Sequence, residues 1–351
     1  MKGLILAGGT GSRLRPITHT TQKQLVPVAN KPVIQYAIES LRAAGITEIG
    51  VVVGGQFPEK VKDFIGDGSK FNVDLTYILQ GEPLGLAHAV GCARPFVDGD
   101  PFVVYFGDTI IDDEIIARIV ESFTNNDCAA HLALKRVENP SRYGIADIVD
   151  DRVRSILEKP DDPPTDLAYV GAVAVKHTIF DTIDDLDPSW RGELELTHAL
   201  DSVVETGSAT WDIVDGTWID VGTPADVIEA NRVLLDDIER DIAETAVVNG
   251  EIDGPVAIAD DCTIDESATV EGPAVIGPNT VVGPDTTIGP YASVGTDGRL
   301  ESTTVSSSVL MDEVDITGGH VRNSVVGCRS EVEARGQIEM TIADDTHVLS
   351  R

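Results

Sequence analysis

Ile276–Gly295, IGPNTVVGPDTTIGPYASVG, repeats every six residues: Ile276, Val282, Ile288 and Val294 each precede a glycine. The same spacing runs back through Val270, Ile264, Ile258 and Ile252 and on to Leu300, nine aliphatic positions in succession. An amphipathic helix recurs at about 3.6 residues and a half-buried strand at 2, so neither produces this period. A period of six marks the coil of a parallel β-helix. Each hexad is one flat side, and its aliphatic residue points inward. A set of ordinary antiparallel strands would not hold that register over nine hexads. After Leu300 the hexads degrade (Val305, Met311, Val321), as terminal coils of a solenoid can. The expected organisation is a β-helix domain over 241–351, with its boundary near Asp241–Gly250, preceded by a domain over 1–240. Flat coil sides invite side-by-side packing, so a homo-oligomer built through the β-helix is expected.

Ahead of the repeat, strand and helix patterns alternate. Lys2–Leu6, Glu48–Val53, Val73–Leu79 and Pro101–Phe106 read as strands, while Pro32–Ala44, Pro58–Ile65 and Gly85–Arg94 have helical spacing. A hairpin follows, Ile145–Ile148 with Val153–Ile156 and Asp150-Asp151 at its turn. Next come a strand at Ala168–Val175, a helix at Glu195–Glu205 and a helix at Thr223–Asp237. Such alternation predicts an α/β domain, Rossmann-like, with a mostly parallel mixed sheet. Ligands bind at the carboxyl ends of the strands in such sheets. Leu6 through Gly11 and Gly107-Asp108 both lie at such ends.

The first strand runs directly into Ala7-Gly8-Gly9-Thr10-Gly11-Ser12-Arg13. Glycines let backbone N–H groups approach a ligand closely, and such a loop suits phosphate. Arg13 and Lys23 add two cations. No Gly-Lys-Ser/Thr closes the loop, so it is not a Walker A motif. Leu14 stands where the third glycine of a dinucleotide fingerprint would be.

Net charge is −33, from 59 acidic and 26 basic residues, which argues against nucleic acid or an anionic membrane as partner. The acid is spread along the chain rather than gathered in a tail, as in proteins of a high-salt (halophilic) cytoplasm. Cys92, Cys128, Cys262 and Cys328 show neither metal-ligand spacing nor a disulfide framework. No apolar run approaches 18 residues, and the N-terminus reads as a strand rather than a signal peptide, so a cytoplasmic protein is expected.

Two aspartates at strand ends, Asp108 after PFVVYFG and Asp220 in WIDVGT, are candidates for holding Mg²⁺ against nucleotide phosphates. Either could also be a turn or cap residue. Gln80 closes the third strand. Its amide offers one donor and one acceptor, matching the N3–H and O4 edge of thymine or uracil with help from the Gly85 backbone.

GGTGSRLRPIT, followed by Lys23-Gln24-Leu25-Val26-Pro27-Val28 and Lys31-Pro32, resembles the signature of sugar-nucleotide pyrophosphorylases. The nearest pattern is that of the glucose-1-phosphate thymidylyltransferase family in its long form, which carries a C-terminal left-handed β-helix. The resemblance implies joining of dTTP and glucose 1-phosphate to dTDP-glucose and pyrophosphate, which feeds activated-sugar and glycan synthesis. It implies a nucleotide site of Leu6, Gly8, Gly9, Thr10, Gly11, Gln24, Gln80, Gly85 and Gly107. The implied catalytic cations are Arg13, Lys23 and Lys159, and the implied Mg²⁺ ligands are Asp108 and Asp220. Sugar and sugar phosphate would be met by Tyr143, Gly144, Glu158, Tyr169, Val170, Gly171 and Arg191. The chain has only nine lysines, which makes Lys159 beside Pro160 more notable than an ordinary surface charge.

Three other functions make different demands on these residues. UTP in place of dTTP would use the same contacts. An acetyltransferase activity in the β-helix would need a histidine base. His320 and His347 are the two available, and both fall in the degraded repeats. A non-catalytic sugar-nucleotide sensor would be expected to lack some of Arg13, Lys23, Asp108, Lys159 and Asp220, and all five are present. No Ser-His-Asp or Cys-His set points to a covalent intermediate, so the expected chemistry is direct in-line displacement.

Overall fold

The structure, a computed structural model, describes residues 1–150 and 152–350. They form two compact units: residues 1–10 with 34–220, and residues 11–33 with 221–351.

The first unit is built on a mixed sheet. Its order runs Arg152–Glu158, Gly144–Val149, Leu167–Val175, Phe102–Phe106, Lys2–Ala7, Glu48–Val53, Asp74–Leu79. Lys2–Ala7 pairs in parallel with both Glu48–Val53 and Phe102–Phe106, and Asp74–Leu79 extends that block in parallel. Lys2–Ala7, Glu48–Val53 and Phe102–Phe106 are buried along most of their length, as parallel strands covered on both faces are, whereas the edge strand Asp74–Leu79 has no buried residue. The other half is mixed: Leu167–Val175 runs antiparallel to Phe102–Phe106 and to Ala130–Arg136, while Ala209–Ile213 pairs in parallel with Ala130–Arg136. The sheet is mixed, as expected, with an all-parallel block in its N-terminal half. Parallel neighbours need a long crossover, whereas short connections favour antiparallel pairing. The tight link joining Gly144–Val149 to Arg152–Glu158 is of that short kind. Asp150 adopts φ 50° there, and Asp151 lies outside the described residues.

The helix expected over Gly85–Arg94 is two helices, Leu86–Cys92 and Arg94–Val97. Pro95 has no N–H to continue the ladder, so the chain restarts there. The core gathers Leu4, Val52, Val90, Phe102, Val104, Leu132 and Val173, with Ile179, Phe180 and Leu200 closing it from the helices.

In the second unit three parallel sheets stack strands coil upon coil. Ile258, Ile264, Val270, Ile276, Val282, Ile288, Val294 and Leu300 all point inward with at most 2 % exposure. The later repeats do not decay. They shorten. Val282 pairs with Leu300, eighteen residues on, but Val294 pairs with Leu310 and Leu310 with Val326, each sixteen on. The inward residue is thus Leu310 rather than the expected Met311, while Val305 and Val321 keep their places. Dropping residues from the corners leaves the flat sides intact. One corner stacks Asp261, Asn279, Asp297, Glu313, Arg329 and Asp345, all at φ between 54° and 58°. Asx residues tolerate that left-handed conformation best, which explains their share of the column.

The segment 11–33 is fastened within this same unit. The buried Asn231, on helix Pro224–Asp236, accepts from Ala29 N (2.9 Å) and Ser293 Oγ (2.6 Å) and donates to Tyr291 O (3.2 Å). Asn30 Nδ2 donates to Val294 O at 2.6 Å.

Candidate active site

The first strand delivers Leu6, which pairs with Phe106 and accepts a hydrogen bond from Gly107 N at 3.0 Å. Gly8 follows, buried, while Gly9 and Thr10 are exposed. Gln80, 9 % exposed, closes the edge strand of the parallel block. Its Nε2 donates to Gly85 O at 3.1 Å. A Cβ on Gly8 would collide with Gln80 Oε1, so glycine at this position leaves room for the amide. Gly85 sits at φ 117°, and a Cβ there would lie 2.5 Å from Leu194 O. The nucleotide-end residues Gly8, Gln80 and Gly85 thus meet over the carboxyl ends of two parallel strands.

Asp108 lies in the turn between Phe102–Phe106 and Thr109–Ile111. Thr109–Ile111 pairs antiparallel with Trp218–Asp220, and Asp220 stands opposite Thr109. The two carboxylates therefore flank one rung of a two-stranded ladder, although 112 positions separate them in the chain. Two carboxylates without a third protein ligand suit Mg²⁺, which keeps positions for phosphate oxygens and water. Among the described residues no group of three or more His, Cys, Asp or Glu could hold a metal by itself.

Arg191 and the expected cation Lys159 meet on the carboxylate of Glu158. Glu158 stands opposite Gly144 in the hairpin. Its Oε1 lies 3.1 Å from Lys159 Nζ and 3.3 Å from Arg191 Nη1, and its Oε2 accepts from Thr197 Oγ1 at 3.1 Å. Lys159 takes φ 44° and its N–H bonds Tyr143 O at 3.1 Å, which turns the chain at the hairpin's end. Arg191 is held from two further sides, by Glu193 Oε2 (3.2 Å) and by the buried Glu195 Oε1 (3.4 Å). Tyr169 pairs with Leu134, and Val170 and Gly171 follow it in a bulge where the pairing with Ala130–Arg136 shifts register before Val173. There Tyr169 meets Phe106 edge-to-face, centroids 5.8 Å apart. A Cβ at Gly171 would lie 3.0 Å from the Phe106 ring. The Tyr169 hydroxyl is buried without a hydrogen-bond partner among the described residues, and burial pushes its pKa well up.

Gly11, Arg13, Lys23 and Gln24 belong to the second unit. Gly11 takes φ 62°, accepts from Thr18 Oγ1 at 2.7 Å and packs against Lys23, whose Cβ would lie 2.9 Å from a Cβ on the glycine. The Arg13 guanidinium covers Gly222. Gln24 is 1 % exposed, and its Oε1 has no hydrogen-bond partner among the described residues.

Three residues assigned no role from sequence line this geometry. Thr197 orients Glu158, and Glu195 clasps both Arg191 and Ser189 Oγ (2.9 Å). Trp218 lies against Tyr143, centroids 5.0 Å apart, with its indole N–H buried and without a hydrogen-bond partner among the described residues. Tyr143, Trp218 and Asp220, with Lys135, Asn139 and Arg142, line a cavity of about 260 Å³. The signal for Trp218 was its place two residues before Asp220. Thr197 and Glu195 carried none, being ordinary residues at a helix start.

Residues 2–237 match the model of the family described as Nucleotidyl transferase. The chain is 49 % identical over 330 residues to the low-salt glycan biosynthesis nucleotidyltransferase Agl11 of Haloferax volcanii, covering 93 % of this chain and 92 % of that one. It is 43 % identical to a glucose-1-phosphate thymidylyltransferase of Streptomyces antibioticus, covering 76 % of this chain and 75 % of that one. A solved Bacillus anthracis structure, assigned as a glucose-1-phosphate thymidylyltransferase, superposes with a TM-score of 0.64 at 40 % identity. It covers 69 % of this chain and 97 % of its own.

Proposed function

Because the chain belongs to the nucleotidyl transferase family, we propose that it joins dTTP to glucose 1-phosphate, releasing pyrophosphate and forming dTDP-glucose. The observation that carries this reading is the meeting of Lys159, Arg191 and Thr197 on Glu158. A carboxylate that accepts from sugar hydroxyls, flanked by two cations that take a phosphate, is what a hexose 1-phosphate requires.

Gly8 and the Gln80 amide receive the nucleotide, with Gln80 reading the pyrimidine. Arg13 and Lys23 neutralise the α-phosphate and the departing pyrophosphate. Lys159 and Arg191 hold the sugar phosphate so that one of its oxygens faces the α-phosphorus. That oxygen forms the new P–O bond as the bond to pyrophosphate breaks, and the electron pair leaves with pyrophosphate. The nucleophile is already ionised at neutral pH, so no general base is needed. Catalysis is positioning plus charge neutralisation. Asp108 and Asp220 would hold Mg²⁺, which supplies further neutralisation of phosphate charge.

Thymine and uracil present the same N3–H and O4 edge, so UTP is the second nucleotide the site admits. The test is pyrophosphate release with each of dTTP, UTP and dCTP against glucose 1-phosphate in Mg²⁺. Release with dTTP above the others supports the reading. No release with any nucleotide overturns it.

A further inference from the structure

Behind Gln80 lies a ring of polar contacts that the nucleotide site does not use. Gln80 Nε2, already donating to Gly85 O at 3.1 Å, also lies 3.4 Å from Nδ1 of His88 on helix Leu86–Cys92. His88 Nε2 lies 3.9 Å from Cys92 Sγ, and Cys92 Sγ lies 3.8 Å from Gln80 O. One assignment of protons satisfies every member. The Cys92 thiol has a single hydrogen, and the Gln80 carbonyl can only accept it. The sulfur must then accept from His88 Nε2–H, which leaves Nδ1 as the acceptor facing the Gln80 amide. Burial raises the thiol's pKa, so the sulfur keeps its proton. Both hydrogens of Gln80 Nε2 are thereby spent on protein acceptors. Oε1, which carries no protein hydrogen bond among the described residues, is turned toward Gly8.

We propose that His88 is a positioning residue for base selection: by accepting from Gln80 Nε2 it locks the amide with its oxygen toward the ligand. The inference rests on Gln80 reading the base. An amide oxygen can accept from N3–H of thymine or uracil. Cytosine has an unprotonated N3 there and would place a lone pair against a lone pair. With Nδ1 absent, Gly85 O alone holds the amide, and the amide is freer to turn its NH₂ toward the base.

The experiment is calorimetric titration of dTTP and dCTP in MgCl₂, without sugar phosphate, into wild type and three variants: Gln80→Leu, His88→Leu and His88→Asn. His88 is half-buried on a helix face, so neither substitution opens the core. Asn can place Oδ1 where His has Nδ1 and so restores the acceptor. The expected result is a wild-type preference for dTTP that Gln80→Leu abolishes. His88→Leu should reduce that preference by about 3- to 10-fold, the worth of one hydrogen bond, and His88→Asn should regain it. A His88→Leu protein with the wild-type ratio, while Gln80→Leu loses it, overturns the role of His88 and leaves the reading of Gln80 standing. Equal loss in His88→Leu and His88→Asn overturns it too, because shape and not the acceptor would then be acting. A wild type without preference for dTTP over dCTP overturns the reading of Gln80 and this inference with it.

Discussion

Replacing Glu158 with Gln changes one charge at the point where four side chains meet. The carboxylate accepts from Lys159 at 3.1 Å, Arg191 at 3.3 Å and Thr197 at 3.1 Å. The two ion pairs are worth little in themselves, since Lys159 and Arg191 side chains are 41 % and 28 % exposed. Arg191 also keeps Glu193 and Glu195. What the substitution removes is the charged acceptor that would receive sugar hydroxyls. A hydrogen bond to a charged group contributes about 1.5–3 kcal/mol, so kcat/KM for the sugar phosphate should fall about 10- to 100-fold. The assay is initial-rate pyrophosphate release with glucose 1-phosphate varied at saturating dTTP, then the converse. KM for the sugar phosphate should rise while KM for dTTP stays within about twofold. Thr197→Val removes only the hydroxyl that orients Oε2 and should lose about 3- to 10-fold. Because Thr197 acts through Glu158, the double variant should be no worse than Glu158→Gln alone. Fully additive losses, or equal effects on both KM values, would refute the placement of the sugar at this carboxylate.

The metal assignment predicts that Asp108→Asn and Asp220→Asn each lower turnover by about 100-fold or more with unchanged melting temperature, and that a chelator abolishes wild-type turnover reversibly. A fully active Asp108→Asn protein would reject it. His131 is buried, with Nδ1 2.9 Å from Thr210 Oγ1 and Nε2 3.5 Å from Asp212 Oδ2. Burial lowers its pKa, Asp212 opposes that and Arg118 adds to it. Below the ordinary histidine value of about 6.5 the unfolded chain takes up a proton that the folded chain resists, so stability is full above that pH and falls beneath it. Melting curves between pH 7.5 and 5.5 should show that fall in wild type and less of it in His131→Asn. With a net charge of −33, self-repulsion should lower the melting temperature as KCl is reduced from molar to millimolar. A salt-independent melting temperature would contradict that expectation.

Fold and site were legible to different degrees, for physical reasons. The period of six survives in sequence because every inward position of a coil must be aliphatic. Ile258 through Leu300 kept that register in the structure. Beyond Leu300 the coils shorten to sixteen or seventeen residues, so a search at constant spacing lands on Met311 when the inward residue is Leu310. Asp108 and Gln80 were legible as candidates because each follows a strand's carboxyl end, where ligands bind in such sheets. Thr197 and Glu195 were not. Their roles come from the tertiary meeting of a hairpin end, a turn and a helix start, and none of these has a period. The antiparallel direction of Leu167–Val175 was not legible for a similar reason, since such apolar runs look alike in either direction.

On the reading proposed for Gln80, its geometry also sets an order among nucleotides. Cytosine would leave a buried acceptor against an acceptor, and a site built to receive a hydrogen-bond donor rejects a ligand lacking it strongly. Uracil keeps every polar contact that thymine makes. In the base the two differ by one methyl group, whose burial is worth about 0.8 kcal/mol, roughly fourfold in affinity. Selection against dCTP should therefore exceed selection of dTTP over dUTP by about tenfold or more. Comparing dTTP with dUTP isolates the methyl, and comparing dUTP with UTP isolates the ribose hydroxyl. If dUTP were rejected as strongly as dCTP, the amide of Gln80 would not be the group that reads the base.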